Sequence, residues 1–310
     1  MKSTKFVTGF AVLALSTLAL AACSPDNKSD ETKASSSKTE ETSKSSEKTE
    51  ESTEATKIAG GDLKDGTFTL EEKNENNGYR AVFSIVVKDG KIVESKYDNI
   101  NADGKSKVDD EEYQKMMKDK AGVGPVEFIP ELNESLVSAQ SADGVEVVTG
   151  ATHSTASFKN YAQQLIQASQ AGNTDKIEID NGADLKDGEY TLEEKNESNG
   201  YRTVFTIVVK DKKITESKYD NINAEGKSKV DDKDYNEMMT EKAGVGPAEF
   251  IPALNKALLE AEDQSPANID VVTGATHSTH AFQMYAEQLV NAAEKGDTAK
   301  IEVDNIVMGK

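Results

Sequence analysis

The sequence has few residues that cross-link a chain or bind metals: its 310 residues include one cysteine, three histidines and no tryptophan. The single cysteine, Cys23, excludes disulfides within the chain and any zinc or iron–sulfur site that needs several cysteines. Basic clusters are also missing, since 56 acidic residues outnumber 36 basic ones and the formal charge is −20. A face that binds a polyanion needs clustered Lys and Arg. We therefore expect no nucleic-acid partner.

The start of the chain has the pattern of an export signal. Lys2 and Lys5 precede an apolar run over residues 6–20, which is followed by Ala-Ala-Cys. The run is shorter than the ~20 apolar residues of a spanning helix, and small residues before Cys23 favour cleavage. A plain secretory signal with an incidental cysteine remains an alternative.

The string Leu-Ala-Ala-Cys that ends at Cys23 resembles the lipobox of bacterial lipoproteins. This resemblance implies that residues 1–22 are a cleaved signal peptide and that Cys23 is lipidated. Acyl chains, at ~0.8 kcal/mol per buried methylene, would hold the protein on the membrane. The expected location is the extracellular face of the cell membrane of a Gram-positive bacterium.

The segment after Cys23 lacks residues that form a core. Residues 24–57 include 15 Ser or Thr and 15 charged residues, with no large apolar side chain. Such a composition cannot bury enough apolar surface to fold. We predict that residues 23–57 form the lipidated cysteine and a disordered linker.

The remainder of the chain is one unit repeated. Residues 62–130 align with residues 184–252 at an offset of 122, with 54 identities in 69 positions. The offset then becomes 124, with the two extra residues placed around 265–267, and the string VVTGATHST occurs at 147–155 and 271–279. Each copy is large enough to bury its own core. The sequence therefore predicts two tandem domains, 58–180 and 181–310.

One copy serves to predict the secondary structure of both. Strand propensity, helical periodicity and turn residues predict the following elements in the first copy: strands at 67–70, 79–87, 91–97 and 145–148, helices at 109–120, from Pro130 and around Phe158 to Ala168, and a closing strand that ends at Asp180. This order predicts an α+β fold, with an antiparallel sheet packed against helices in each domain.

The segments Thr149–Thr155 and Thr273–Thr279 are predicted to connect a strand to a helix. The first amides of a helix lack internal partners and lie at the positive end of its dipole, so this turn suits a phosphate. The same residues also fit an ordinary helix N-cap at Thr152 or Ser154. The residues alone leave both interpretations open.

The segment Asp270–Thr276, DVVTGAT, resembles the DxxTGAT flavinylation motif of FMN-binding domains, which occur in the NqrC and RnfG subunits of membrane redox pumps. This resemblance implies that a separate flavin transferase joins FMN through its phosphate to the last Thr, here Thr152 and Thr276. The first copy departs from the motif because Glu146 replaces Asp. The remaining cofactor-binding residues that the resemblance implies are Glu146, Thr149, Gly150, Ala151, Asp270, Thr273, Gly274 and Ala275.

The lipobox, the linker and two such domains together resemble the extracellular electron-transfer lipoproteins of Gram-positive bacteria. The resemblance implies two covalent FMN groups, electrons from the membrane quinone pool or an NADH dehydrogenase, and extracellular acceptors such as ferric iron or flavin shuttles. The expected role is electron transfer, with no catalytic side chain. The alternative is a non-redox binding or adhesion lipoprotein whose released signal peptide also acts as a pheromone.

Several other residues have two interpretations each. His153 and His277 adjoin the predicted attachment residues and either contact the cofactor or are solvated. Ala156 stands at the position equivalent to His280, so a metal site built on His280 would exist in one copy only, and we expect none. The four Met of positions 116, 117, 238 and 239 are expected to fill the core. Residues that either border the flavin ring or belong to ordinary strands and core are Tyr97, Asp98, Asn99, Phe128, Tyr219, Asp220, Asn221 and Phe250.

Overall fold

Both repeats show the same order of elements in the computed structural model, which describes residues 56–309. The first repeat contains β2 (Gly66–Glu72), β3 (Arg80–Lys88), β4 (Lys91–Ile100), α1 (Glu111–Ala121), α2 (Pro125–Ala139), α3 (Thr152–Ala171) and β5 (Ile177–Ile179). The second contains β6 (Gly188–Glu194), β7 (Arg202–Lys210), β8 (Lys213–Ile222), α4 (Lys233–Ala243), α5 (Pro247–Glu260), α6 (Thr276–Lys295) and β9 (Ile301–Val303). Short strands β1 (Lys57–Ala59) and β10 (Val307–Met308) lie at the two ends.

The predicted signal peptide, Cys23 and nearly all of the predicted linker lie outside the described residues. Within residues 56–309, no helix is both long enough and apolar enough to cross a bilayer.

Each repeat has a four-stranded sheet with the strand order β4-β3-β2-β5 or β8-β7-β6-β9. The first three strands form an antiparallel meander, as predicted. The closing strand instead pairs in parallel, with Leu70 opposite Ile177. The chain reaches β5 only after three helices, so it can enter the sheet in the same direction as β2. The α+β class is confirmed, and the sheet is mixed rather than wholly antiparallel.

The core of each repeat lies between one face of the sheet and the helices. Alternate residues of β3, from Ala81 to Val87, are buried and the residues between them are half-buried. Phe83, Tyr97 and Phe158 pack with ring centroids 4.8–5.3 Å apart and so join β3, β4 and α3. Phe205, Tyr219 and Phe282 repeat this cluster. The same alternating pattern therefore gives both repeats the same core.

The second helix of the first repeat begins earlier than predicted. Pro125 is its first residue and Pro130 lies inside it. Proline suits the first helical position because its missing N–H has no internal acceptor there. The carboxylate of Glu127 accepts a hydrogen bond from the Gly124 amide at 3.1 Å, which fixes the start. The prediction that Pro130 opens this helix is wrong.

The predicted strand at 145–148 is also wrong. These residues are irregular, although Val145 and Val148 are buried. The ammonium of Lys159 on α3 donates to the carbonyl oxygens of Asp143 and Val145, at 3.0 and 3.1 Å. A side chain thus satisfies backbone groups that a neighbouring strand would otherwise pair, and the apolar residues pack from a loop.

The two extra residues of the second repeat lie before Gln264, so their predicted placement around 265–267 is wrong. Gln140 exchanges hydrogen bonds with the backbone of Ile92, and Gln264 does the same with Ile214. These two glutamines are therefore structurally equivalent, and the insertion belongs to the 3₁₀ turn Glu262–Gln264. From this point the offset is 124, so Ala267 is the counterpart of Asp143.

The two repeats pack through α3 and α6. Asn160 donates to Asn291 at 2.8 Å, and Gln288 donates to Gln167 at 2.8 Å. A later residue of α3 thus meets an earlier residue of α6, so the helices run antiparallel. Strand β1 pairs with β10, which joins the first described strand to the last.

Strand β4 is an edge strand, and α2 caps its outward backbone groups. Asn133 accepts a hydrogen bond from the Tyr97 amide at 2.7 Å and donates to the Tyr97 carbonyl at 3.0 Å. Gln140 makes the corresponding pair with Ile92. The side-chain amides of Asn133 and Gln140 thus make the hydrogen bonds that a neighbouring strand would make, and they protect the edge from pairing with other chains.

We expect Asn133→Ala to lower the free energy of unfolding by about 2 kcal/mol, because buried backbone groups of Tyr97 lose their partners. Urea unfolding followed by circular dichroism measures the change. Glu134→Ala, an exposed neighbour, should change it by less than ~0.5 kcal/mol. Equal effects of the two substitutions would contradict the capping role.

Candidate functional site

The segment TGAT forms a tight turn immediately before α3 and α6. The Ala151 amide donates to the Val148 carbonyl at 2.9 Å, and the Ala275 amide does the same with Val272. Gly150 and Gly274 have φ values of +84° and +82°. A Cβ atom at Gly274 would overlap the carbonyl oxygen of Ala243, the last residue of α4. A Cβ atom at Gly150 would likewise overlap the Ala121 carbonyl oxygen, so the turn requires glycine at both positions for a steric reason.

A buried threonine one turn into each helix holds the same segment. Thr279 Oγ1 accepts a hydrogen bond from the Val272 amide at 3.2 Å and donates to the Ala275 carbonyl at 3.0 Å. Thr155 makes the equivalent bonds to Val148 and Ala151. These threonines connect the incoming loop to the helix and set the direction in which each helix begins.

Thr152 and Thr276 are the first residues of their helices, and both side chains are exposed. The N-cap residues are Ala151 and Ala275, which have no side-chain hydrogen bond to the helix. The interpretation of Thr152 or Ser154 as an ordinary N-cap is therefore wrong. First-turn amides remain available at the positive end of a 20-residue helix, beside an accessible hydroxyl. This arrangement suits a phosphate esterified to the threonine.

A cavity of about 330 Å³ lies beside the start of α6. This volume lies in the range of small-molecule sites. The second repeat contributes Glu194, Ser198, Asn199, Tyr201, Thr203, Tyr219, Asn221, Lys229, His277, Ser278, Ala281, Met284, Tyr285 and residues 305–308. The first repeat contributes Ser141, Asp143, Gly144, Gln163 and Ile166. The lining combines aromatic rings, an ammonium, amides and carboxyl groups.

Lys229 is positioned by two aromatic rings. Its ammonium lies 4.9 Å from the ring centroid of Tyr201 and 4.3 Å from that of Tyr235. The hydroxyl of Tyr201 donates to Asp232, which raises the pKa of Tyr201 to about 12. The rings attract the cation without neutralising it. Lys229 therefore presents a positive charge to the cavity.

Glu194 places a carboxyl group in the same cavity. It accepts hydrogen bonds from the Tyr285 hydroxyl at 2.6 Å and the Thr203 amide at 2.7 Å. Burial raises the pKa of Glu194, and these two hydrogen bonds oppose the rise. Burial also raises the pKa of Tyr285. The pair fixes a hydrogen-bonded acid at the end of β6.

The lining of the cavity offers the kinds of contact that an FMN group needs. Asp143 Oδ1 is buried and has no hydrogen-bond partner among the described residues, so the site holds an acceptor for a ligand hydroxyl or N–H. Tyr219 and Tyr285 offer aromatic surface, Asn221 offers an amide, and Lys229 offers a cation. A flavin needs these same kinds of contact.

The other predicted site residues differ in exposure and in whether they line the cavity. Glu146, Thr149, Asp270 and Thr273 have exposed side chains, whereas Ala151 and Ala275 are buried. Tyr219 and Asn221 line the cavity, and Asp220 does not. Tyr97 belongs to the aromatic core cluster, and Phe128 and Phe250 are fully buried core residues.

The histidines and methionines also differ in their exposure and contacts. His277 contacts Asp143, His153 is exposed, and His280 is half-buried, with its pKa lowered by burial. Among residues 56–309, no group of three or more His, Cys, Asp or Glu could hold a metal ion. Met117 packs against the core, but Met116 and Met238 are exposed, so the prediction that all four methionines fill the core is wrong.

Sequence reasoning missed Thr279, Glu194, Lys229 and Asp143. The first three have identical counterparts in the other repeat: Thr155, Glu72 and Lys107. Identity between the repeats is too widespread to single them out. Asp143 is not even shared between the repeats, because its counterpart is Ala267.

We expect Gly274→Ala to lower the free energy of unfolding by ~3 kcal/mol or more, because a positive φ and an overlap with the Ala243 carbonyl act together. Gly244→Ala is the matched control. Its φ is also +82°, but a Cβ there meets nothing within 4 Å, so it should cost only about 1 kcal/mol. Urea unfolding compares the two. Equal losses of unfolding free energy in the two variants would contradict a steric role for the contact between Gly274 and the Ala243 carbonyl.

Parts of the chain are similar in sequence to known proteins. Residues 199–291 match the family of FMN-binding domains. A 15 kDa lipoprotein of Treponema pallidum is 29% identical over 116 residues, which cover 37% of this chain and 82% of that protein.

Two solved structures are also similar to parts of the chain. The crystal structure of a Clostridium perfringens protein is 48% identical and covers 38% of this chain and 97% of its own, with a TM-score of 0.36. The solution structure of a Clostridium thermocellum protein is 24% identical and covers 34% of this chain and 91% of its own, with a TM-score of 0.23. The second repeat is therefore similar to FMN-binding domains, and part of the chain is similar to a protein described as a lipoprotein.

Proposed function

We propose that this chain is a membrane-anchored flavoprotein of the PplA type that carries FMN covalently on Thr152 and Thr276 and transfers electrons out of the cell. The observation that carries the proposal is the position of Thr276. Its exposed hydroxyl stands at the first residue of a helix without a side-chain cap, beside a cavity with flavin-compatible lining.

Attachment requires an activated form of FMN. The Thr276 Oγ1–H bond is replaced by an Oγ1–P bond, and the pyrophosphate bond of a flavin dinucleotide breaks. The products are the phosphothreonine diester, a nucleoside monophosphate and the hydroxyl proton, which a base of the flavin transferase accepts. Thr276 is therefore a nucleophile only during maturation. The exposed side chain is accessible to such an enzyme.

The surrounding residues would hold and orient the attached group. First-turn amides of α6 would bind the phosphate, and the helix dipole would stabilise its charge. Lys229 would supply a fixed cation, and Glu194 and Tyr285 would hold a proton at a defined hydrogen bond. FMN itself supplies reversible acceptance and release of electrons when bound.

The first repeat supports a second attachment point. Thr152 has the same turn, the same glycine conformation and the same buried-threonine bonds as Thr276. Lys107 lies 4.6 Å from the ring centroids of both Tyr79 and Tyr113. Two covalent FMN groups are therefore proposed, one on each repeat.

The proposed electron path begins at the membrane. Oxidation of one quinol, or of NADH through a dehydrogenase, supplies two electrons. Reduction of two ferric ions to ferrous ions, or of one soluble flavin shuttle, consumes them, and protons not taken up by the acceptor are released. The lipobox at Cys23 and the linker would keep the folded repeats close to the donor.

We expect Thr152→Ala and Thr276→Ala each to remove one flavin, and the double substitution to remove both. The protein is coexpressed with a flavin transferase, boiled in SDS, and examined for in-gel fluorescence and for the FMN mass increment of each peptide. Thr174→Ala, which removes an exposed hydroxyl outside the TGAT turn, is the control and should leave both flavins in place.

A band without fluorescence or mass increment in the unsubstituted protein would contradict the flavoprotein proposal and favour a non-redox lipoprotein. Flavin that persists in the doubly substituted protein would contradict the site assignment.

We expect Cys23→Ser to move the protein from the membrane to the medium, because acyl chains provide the stable attachment. Ultracentrifugation of cells and medium, followed by immunoblotting, measures the distribution. Ser24→Ala, the adjacent position, should leave the protein on the membrane. Retention of Cys23→Ser protein on washed membranes would contradict the lipid anchor.

A further inference from the structure

The cavity beside Thr276 is not built by the second repeat alone. A loop of the first repeat, residues 141–144, lies against it, and α3 adds Gln163 and Ile166. These two side chains line the cavity together with Ala281, Met284 and Tyr285 of α6. The second site is therefore incomplete without the first repeat.

The backbone of the loop that carries Asp143 is held by a buried lysine. Lys159, which is 4% exposed, donates from its ammonium to the carbonyl oxygens of Asp143 and Val145 at 3.0 and 3.1 Å. Burial lowers the pKa of Lys159, and the charge of Asp143 opposes this effect. The loop thus presents the Asp143 side chain from a fixed backbone.

The two carboxylate oxygens of Asp143 have different surroundings. Oδ2 lies 3.3 Å from Nε2 of His277, the residue after Thr276. Oδ1 is buried and has no hydrogen-bond partner among the described residues. A buried acceptor without a donor costs free energy in the empty cavity, and a ligand hydroxyl would remove this cost.

We propose that Asp143 of the first repeat binds the FMN attached to Thr276, with Oδ1 accepting a hydrogen bond from a hydroxyl of the ribityl chain. The ribityl chain is the part of FMN next to the phosphate, and the contact between Asp143 and His277 places the carboxylate near the attachment residue. This inference rests on the proposed function and adds that one repeat completes the cofactor site of the other.

The second repeat has, at the equivalent position, no residue that could make the same contact with a flavin on Thr152. The counterpart of Asp143 is Ala267, which has no acceptor side chain, and the counterpart of Lys159 is Gln283, which bonds only the Ile269 carbonyl among the residues described. The counterpart of Gln163 is Glu287. The two cofactor sites therefore differ although the TGAT turns are the same.

The test uses two single-flavin proteins: Thr152→Ala, which keeps flavin only on Thr276, and Thr276→Ala, which keeps flavin only on Thr152. Asp143→Ala is added to each full-length protein, and flavin fluorescence is measured during acrylamide quenching. We expect the quenching constant to rise at least twofold for the flavin on Thr276, because its ribityl chain loses an anchor. The flavin on Thr152 should be unchanged.

Asp143→Asn keeps a side-chain oxygen as acceptor and should restore most of the original quenching constant. Glu131→Ala removes an equal charge from the exposed face of α2 and should change neither flavin. Melting temperatures of the same variants, prepared without the transferase, identify any loss of stability separately.

An unchanged quenching constant for the flavin on Thr276 would overturn the proposal, as would equal increases for both flavins. A protein without flavin in either background would contradict the proposed function itself, and the inference would fail with it.

Discussion

The close approach between the TGAT turn and the end of the preceding helix determines the geometry of both candidate sites. Gly274 packs where a Cβ atom would overlap the Ala243 carbonyl, and Thr279 ties the turn to α6 from the other side. Because these contacts fix where the helix starts, they leave Thr276 exposed at its first residue. The aromatic core then sets the direction of α6 against the sheet.

The duplicated sequence produces two sites that are not equivalent. Each repeat has its own sheet and core, but α3 and α6 pack together and carry neighbouring loops with them. Differences at this contact affect the partner repeat. Glu287 and Glu294 replace Gln163 and Gln170, and burial raises the pKa of each carboxyl to about 7. The repeats thus diverge where they meet.

Much of the fold was predictable because local patterns decide it. The alternation in β3 and the helical stripe of Phe158, Tyr161 and Leu165 each specify one face to bury. The errors occur where side chains replace local backbone partners. Lys159 satisfies the carbonyls of a loop that has the composition of a strand, and Glu127 starts α2 before Pro130.

The sequence by itself determined the duplication, the α+β class and the motif residues Thr152 and Thr276, because identity, periodicity and motif spacing are properties of neighbours along the chain. Only the tertiary structure decided that an alanine caps each helix, that Lys229 and Glu194 share a cavity, and that Asp143 of one repeat reaches His277 of the other. These contacts join residues that are distant in sequence, so only the packing of the first repeat against the second brings Asp143 to the second site.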